Sequence, residues 1–203
     1  SVRHGGMVPW DDDIDIAVMD TSENKSKIKS INKDLEKYNL GIVKTYYGFK
    51  IYDMDGLKII KNPWSVHKRQ FKDKHKNITR RHLITIEAAK TYKKPQGIIY
   101  QRYKYPSLDI FLMTPLKKKT IYIKNRWKKC YYKKGDIFPL KKYKYYNLKV
   151  NGPSNPNNYI NNCYGPYWND YGIIEYNHST EKIIKPRKRF KLTERHRKFA
   201  MFK

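Results

Sequence analysis

The chain has 203 residues, a length that predicts one domain with its own core. Its 45 Lys and Arg residues far outnumber its 18 Asp and Glu residues, and the net charge of +27 favours an anionic partner. No apolar run reaches the roughly 18 residues of a membrane span. No signal peptide is evident either, so the chain as given is expected to be soluble, in the cytoplasm or a secretory lumen.

Charge is distributed unevenly along the chain. Residues 1–20 hold five Asp against one Arg, whereas 61–105, 117–149 and 182–203 carry formal charges of +11, +12 and +9. An acidic island in a basic protein needs compensation, and a metal ion supplies it. The abundance of Lys, Ile, Asn and Tyr is also typical of an AT-rich genome, so nucleic-acid binding stays open but is not favoured.

The first predicted elements are a strand and a helix. Apolar residues alternate with acidic or small ones over 13–18, which predicts a strand. A helix should follow, because 20–23 offers capping residues and apolar positions recur at helical spacing as far as Tyr38. Residues 40–60 predict two or three short strands.

The middle of the chain is harder to interpret. Residues 61–105 are basic and aromatic with little periodicity, and we expect a long excursion with a strand near 84–89. Residues 107–113 predict a largely buried strand that carries one carboxylate. Another strand is predicted near 119–124. Two cysteines, Cys130 and Cys163, exclude a disulfide framework, and free thiols are favoured over a pair.

A hairpin and a helix are predicted near the end of the chain. The hairpin spans 140–150, and the helix begins at Pro156 and ends at Gly165, since Pro suits the first helical position and Gly the stop. We therefore predict one domain over 1–180 and a basic tail over 181–203, for which partial disorder is expected.

The candidate chemistry lies in three carboxylates. Asp13 and Asp15 share one face of the first strand, where both can reach one or two Mg²⁺ or Mn²⁺ ions. Asp109 lies in an apolar strand, where desolvation penalises an unpaired charge, and is the candidate for a third ligand. The alternative is that the Asp-rich stretch is a solvated turn. The metal site is favoured, and it would serve phosphoryl or nucleotidyl transfer.

The N-terminal motif RHGGMVPWDDDIDI, residues 3–16, resembles the signature of the LicD family, which includes bacterial phosphocholine transferases and animal fukutin-related proteins. Downstream, Ser107–Phe111 resembles the family's second acidic strand. The resemblance extends to about residue 170, through a hairpin, a proline-led helix and Tyr164-Gly165. The family's Gly-Ser or Gly-Thr turn would precede this motif, so we expect the chain to be N-terminally truncated.

The resemblance implies an α/β (α+β) fold, with a nucleotidyltransferase-like mixed sheet flanked by helices, a basic insertion and a C-terminal extension. It also implies transfer of a phospho-alcohol, phosphocholine- or ribitol-phosphate-like, from a CDP-activated donor to a glycan or glycolipid hydroxyl. Asp13 and Asp15 would be metal ligands, and Asp109 a third ligand or the general base.

Five further residues are candidates for substrate binding. Arg3 and Lys50 are candidate phosphate contacts, although most Lys and Arg side chains are simply solvated. His4 could donate to a phosphate or pack beside the Gly5-Gly6 turn. Two other functions remain open: an NTP-using nucleotidyltransferase, and a basic nucleic-acid- or polyanion-binding protein with a decayed site.

Overall fold

The main sheet contains six strands of the described chain. The computed structural model describes residues 2–60, 100–117, 120–123 and 131–198, with only the backbone at 117 and 120–123. The strand order is β2-β3-β4-β5-β6, and β1 pairs with β4 in parallel. The strands are β1 (Ile14–Met19), β2 (Leu40–Lys44), β3 (Gly48–Ile60), β4 (Tyr100–Lys117), β5 (Thr120–Ile123) and β6 (Tyr131–Lys133).

Short helices and two hairpins surround this sheet. The helices are α1 (Ser22–Ser30), α2 (Asn32–Glu36), α3 (Lys134–Ile137), α4 (Asn157–Tyr164) and α5 (Glu194–Arg197). The hairpins pair β7 (Lys141–Tyr145) with β8 (Leu148–Gly152), and β9 (Tyr171–Asn177) with β10 (Lys182–Lys191). None of the helices in these described ranges is long and apolar enough to cross a bilayer.

Strand β4 separates two core clusters because its side chains alternate between the faces of the sheet. On one face, Ile110 and Leu112 pack with Phe49 of β3 and Ile28 of α1. On the other face, Phe111 and Met113 of β4 pack with Tyr47 and with Ile137 of α3. Asp109 shares this second face, so the carboxylate emerges beside an apolar cluster.

Helix α1 follows β1 after a short turn. Thr21 is its N-cap, and the Thr21 hydroxyl accepts a hydrogen bond from the backbone N–H of Asn24 at 3.1 Å. Such a cap satisfies one of the amides left unpaired at the start of a helix. Because α1 lies over the Ile110 face, it does not cover the face of β4 from which Asp109 projects.

The mixed α/β class predicted from the sequence is confirmed. The strand at 13–18, the hairpin at 140–150 and the helix between Pro156 and Gly165 are present, within a residue or two at their ends. The predicted strand near 84–89 lies outside the described residues.

Two expectations need correction. Residues 182–191 of the predicted tail form β10, which is hydrogen-bonded to β9. Pairing with β9 satisfies the backbone hydrogen-bonding groups of β10 despite its six basic side chains. The charge pattern along the chain gave no sign that β10 has a partner strand. Cys163 is disulfide-bonded rather than a free thiol. The other cysteine, Cys130, lies outside the described residues.

Candidate metal centre

Three side chains form a row across neighbouring strands. Asp15 of β1 lies opposite Asp109 of β4, and Asp109 lies opposite Lys50 of β3. Paired residues in adjacent strands project from the same face, so two carboxylates and an ammonium group are brought side by side. The parallel pairing of β1 with β4 therefore brings together two acidic residues that are distant in sequence.

Asp13 joins this row from the residue just before β1. One carboxylate oxygen each from Asp13, Asp15 and Asp109 lie within 4.8 Å of one another. Desolvation, and then the negative charges of Asp13 and Asp109, raise the pKa of Asp15 to about 7, although the residue itself is exposed. The three predicted carboxylates thus form one cluster that is open to solvent.

The cluster fits a hard divalent cation. Oxygen donors suit Mg²⁺ and Mn²⁺, and a double positive charge would offset the repulsion between the three acids. Neighbouring Asp11 is affected by the same crowding, since desolvation and the charge of Asp13 raise its pKa. Asp11 thus belongs to the charged environment of the cluster and not only to the turn.

Asp109 is held from within the sheet. The Tyr47 hydroxyl donates to Asp109 Oδ1 at 2.5 Å, and Lys50 Nζ lies 3.1 Å from the same oxygen. Burial and this bond to Asp109 raise the pKa of Tyr47 far above its ordinary value, so Tyr47 remains a donor. Asp109 is 8% exposed, and within the described part of the chain both of these contacts are made to Oδ1 and not to Oδ2.

Lys50 lies behind the carboxylates. Its side chain is 2% exposed, and Nζ donates to Ser107 Oγ at 3.2 Å in addition to the Asp109 ion pair. The ammonium group also lies 4.6 Å from the centroid of the Tyr103 ring. These contacts tie Lys50 to Asp109, and the predicted phosphate contact stays a prediction.

The turn between β9 and β10 adds a histidine to the cluster. His178 Nε2 lies 2.9 Å from Asp13 Oδ2, and Nδ1 lies 2.5 Å from Asp12 Oδ1. Burial alone would lower the pKa of His178, but the hydrogen bonds and charges of Asp13 and Asp12 outweigh burial and raise it to about 9. The same partnership holds the pKa of Asp13 below its ordinary value, against desolvation.

The predicted substrate-binding residues near the N-terminus pack against the C-terminal part of the chain. The Arg3 guanidinium donates to the carbonyl of Trp168 and lies 5.1 Å from the Trp10 ring centroid. His4 is buried, with Nε2 2.8 Å from the His196 carbonyl. Both contacts anchor the N-terminal segment, and substrate binding by Arg3 and His4 stays a prediction.

Gly5 and Gly6 form the turn that leads to the acidic stretch. Gly5 has a φ of +65°, and its carbonyl accepts from the Tyr146 N–H at 2.7 Å. The Tyr146 hydroxyl in turn accepts from the Met7 N–H at 3.2 Å. The β7–β8 turn therefore fixes the path of the chain into the carboxylate cluster, and substrate binding by Gly5 and Gly6 stays a prediction.

Sequence reasoning missed the partners of the carboxylates. His178 lies in the segment Asn177-His-Ser179, which carries no metal-ligand spacing, and its contacts to Asp12 span 166 positions. Tyr47 lies in the bend that precedes β3, and tyrosines are so common in this chain that it does not stand out. No local pattern marks either residue, so only the folded chain reveals them.

Comparison with known proteins agrees with the N-terminal motif. Residues 1–97 match the model described as LicD/FKTN/FKRP, nucleotidyltransferase domain. An uncharacterized protein of Rickettsia prowazekii (strain Madrid E) is 25% identical over 183 residues, which cover 88% of this chain and 48% of that protein. An uncharacterized protein of Rickettsia typhi (strain ATCC VR-144 / Wilmington) is 25% identical over 180 residues, 88% of this chain and 40% of that protein.

The chain thus spans less than half the length of these relatives. No solved structure matches it. The resemblance from residue 98 to about 170, which includes Asp109, lies beyond the family-model match and stays a prediction. Over residues 1–97, however, the match confirms the predicted resemblance to the LicD family, and that resemblance suggests a phosphotransferase-type function.

Proposed function

We propose that this chain is the catalytic domain of a metal-dependent phosphotransferase, which moves a phospho-alcohol from a CDP-activated donor to a glycan or glycolipid hydroxyl. The observation that carries the proposal is the cluster of Asp13, Asp15 and Asp109, with carboxylate oxygens within 4.8 Å. An anionic diphosphate would be repelled by three bare carboxylates, so a divalent cation is needed before donor and protein can meet.

Each carboxylate has a separate part in holding the ion. Asp109 would bind through Oδ2, because Tyr47 and Lys50 occupy Oδ1. We accordingly assign Asp109 as a ligand rather than the general base. Asp13 would bind through Oδ1, since His178 holds Oδ2. Bound at these oxygens, Mg²⁺ or Mn²⁺ supplies positive charge to the transferring phosphoryl oxygens.

The reaction exchanges a phosphoanhydride bond of the donor for a phosphodiester bond to the acceptor. The acceptor hydroxyl oxygen attacks the phosphorus that bears the alcohol, the bond from that phosphorus to the CMP oxygen breaks, CMP leaves, and the hydroxyl proton is released to solvent. The donor alcohol is a phosphocholine- or ribitol-phosphate-like group on the family resemblance alone. The protein's contribution is to fix the ion and the donor in line with the acceptor.

The test is CMP release from CDP-choline and CDP-ribitol by the 203-residue chain, with an oligosaccharide acceptor and Mg²⁺ or Mn²⁺. Asp13→Asn, Asp15→Asn and Asp109→Asn should each lower CMP release by at least about 100-fold, and EDTA should abolish it. Asp34→Asn, which removes an exposed carboxylate paired with Lys37, is the matched control and should retain full activity.

The products separate the competing functions. An NTP-using nucleotidyltransferase needs the same carboxylates but releases pyrophosphate from an NTP instead of CMP from a CDP-alcohol. DNA binding with a steep salt dependence, together with no affinity for Mn²⁺, would instead favour a polyanion-binding protein with a decayed site. Full CMP release by Asp13→Asn would contradict the proposal directly.

A further inference from the structure

The turn between β9 and β10 is itself tightly organised. The Asn177 side-chain oxygen accepts from the Ser179 hydroxyl at 2.6 Å and from the Thr180 N–H at 3.0 Å. Asn177 also pairs with Lys182 across the hairpin. The four residues between these strands are therefore fixed in position relative to the hairpin.

We propose that this turn, residues 178–181 and hereafter the hairpin clamp, positions the metal-binding carboxylates through His178 and Glu181. The inference rests on the metal-dependent function proposed above. It adds two positioning residues, neither of which would touch the ion. Both lie outside the segment that matches the family model.

His178 controls the orientation of Asp13. Nε2 of the ring holds Asp13 Oδ2 at 2.9 Å, and Asp11 is hydrogen-bonded to the same carboxylate, so we assign Oδ1 of Asp13 to the ion. Asp12 fixes the other edge of the ring, since its carboxylate meets Nδ1 at 2.5 Å and accepts from the His178 backbone N–H at 3.0 Å. A ring held at both edges cannot rotate, so the Asp13 carboxylate is held in one orientation.

Glu181 acts on Asp109 through Lys50. Glu181 Oε1 lies 3.9 Å from Lys50 Nζ, and the Tyr176 hydroxyl donates to Glu181 Oε2 at 2.8 Å. Glu181 has a φ of +53°, in the left-handed region that residues other than glycine rarely adopt. A glutamate at a position that suits glycine is consistent with selection for its carboxylate.

The experiment titrates Mn²⁺ into the metal-free chain and measures its Kd by the EPR signal of free Mn²⁺. His178→Ala should raise the Kd by about 10–100-fold, the range typical when a partner of a metal ligand is lost. A Kd equal to that of the unmodified chain would overturn the proposal. Arg187→Ala is the matched control, because it breaks the exposed Arg187–Glu175 pair in the same hairpin and should leave the Kd unchanged.

Two conservative variants test the geometry even if His178→Ala fails to fold. The amide nitrogen of glutamine can replace Nε2, whereas that of asparagine can replace Nδ1. His178→Gln should therefore keep the contact to Asp13 and restore most of the Mn²⁺ affinity, while His178→Asn should keep only the contact to Asp12 and restore little. Equal affinities in the two variants would contradict positioning of Asp13.

Glu181→Gly separates positioning from a structural role. Glycine relieves the left-handed backbone, so thermal stability should be unchanged or higher. If Glu181 positions Asp109 through Lys50, the Mn²⁺ Kd should nevertheless rise several-fold. An unchanged Mn²⁺ Kd would show that Glu181 does not position Asp109.

The clamp and the proposed function fail in different ways. Mn²⁺ binding that depends on Asp15 and His178, without CMP release from any CDP-alcohol, would contradict the phosphotransferase and support the clamp. CMP release that depends on Asp15, with a normal Mn²⁺ Kd in His178→Ala, would support the phosphotransferase and overturn the clamp.

Discussion

At Lys50, a positive charge that the sequence suggests for a phosphate contact lies inside the sheet, against Asp109 and Ser107. An ion pair removed from water costs desolvation energy, which its geometry must recover. Here the lysine gives Asp109 a fixed partner at Oδ1. The residue that the sequence suggests for substrate binding thus contacts a carboxylate of the candidate metal centre.

Lys50→Met keeps most of the side-chain volume but leaves Asp109 without its cation. We expect the metal-free chain to lose about 3–5 kcal/mol of unfolding free energy, measured by urea denaturation. Saturating Mn²⁺ should recover part of this loss, because the ion restores positive charge beside Asp109. Lys37→Met, which breaks the exposed pair with Asp34, should change stability by less than about 0.5 kcal/mol. Equal losses in the two variants would contradict the buried ion pair.

Asp15 makes the metal-free chain sensitive to pH. Its pKa rises from 3.8 to about 7 on folding, so between these values the folded chain binds more protons than the unfolded chain. The contribution of Asp15 to stability therefore falls as pH rises through this window. Asp15→Asn should remove that part of the pH dependence and raise Tm at pH 8. The rise should be roughly 2 °C, a small value because solvent screens the charge of an exposed carboxylate.

Thermal melts in EDTA from pH 4 to pH 8 check this prediction. The same variant should bind Mn²⁺ more weakly, so the substitution should raise stability and reduce metal binding. A lower Tm at pH 8 would show that Asp15 is not repelled by its neighbours.

At the level of elements, β3 and β4 hold the row of site residues together. Gly48 begins β3 close to the backbone of β4: a β-carbon there would lie 2.0 Å from the Ile110 carbonyl oxygen. The obstacle is backbone, which cannot move aside as a flexible side chain can. Tyr47, the preceding residue, donates to Asp109, so this close approach also places a donor at the site.

Gly48→Ala should force the two strands apart. We expect a loss of about 2–4 kcal/mol in unfolding free energy, comparable to overpacking in a core. Weaker Mn²⁺ binding should accompany the loss, because Tyr47 and Lys50 shift with β3. Gly135→Ala is the control, since a β-carbon at Gly135 meets nothing within 4 Å. Similar stability of the two variants would count against the close approach.

Elements with strong local signals could be predicted from the sequence. Alternation identified β1, and Pro156 and Gly165 delimited α4. The grouping of Asp109 with Asp13 and Asp15 also followed, because a carboxylate in an apolar strand needs a partner. Strand register and long-range docking could not be predicted, since they depend on which surfaces meet. His178 and Glu181 therefore emerged only from the structure.

Across the whole molecule, an acidic centre is set in a strongly basic chain. The net charge of +27 attracts anions from a distance, while Asp13, Asp15 and Asp109 repel them at short range. A bound cation would turn this short-range repulsion of anions into attraction. Long-range attraction and local binding then act in the same direction.

This arrangement predicts a salt effect on donor capture. For CMP release, kcat/KM should fall several-fold between about 50 and 300 mM NaCl, because salt screens the attraction of an anionic donor. The value of kcat should change little, since bound donor is close to the ion. Initial rates over a range of donor concentrations separate the two. A fall in kcat at constant KM would contradict electrostatic capture.

The partnership of Asp12 with His178 spans 166 positions. During synthesis, Asp12, Asp13 and Asp15 leave the ribosome before Asp109, and His178 and Glu181 emerge later still. A growing polypeptide therefore displays its acids long before their partners exist. The arrangement of carboxylates seen here can therefore form only after the β9–β10 turn has been synthesised.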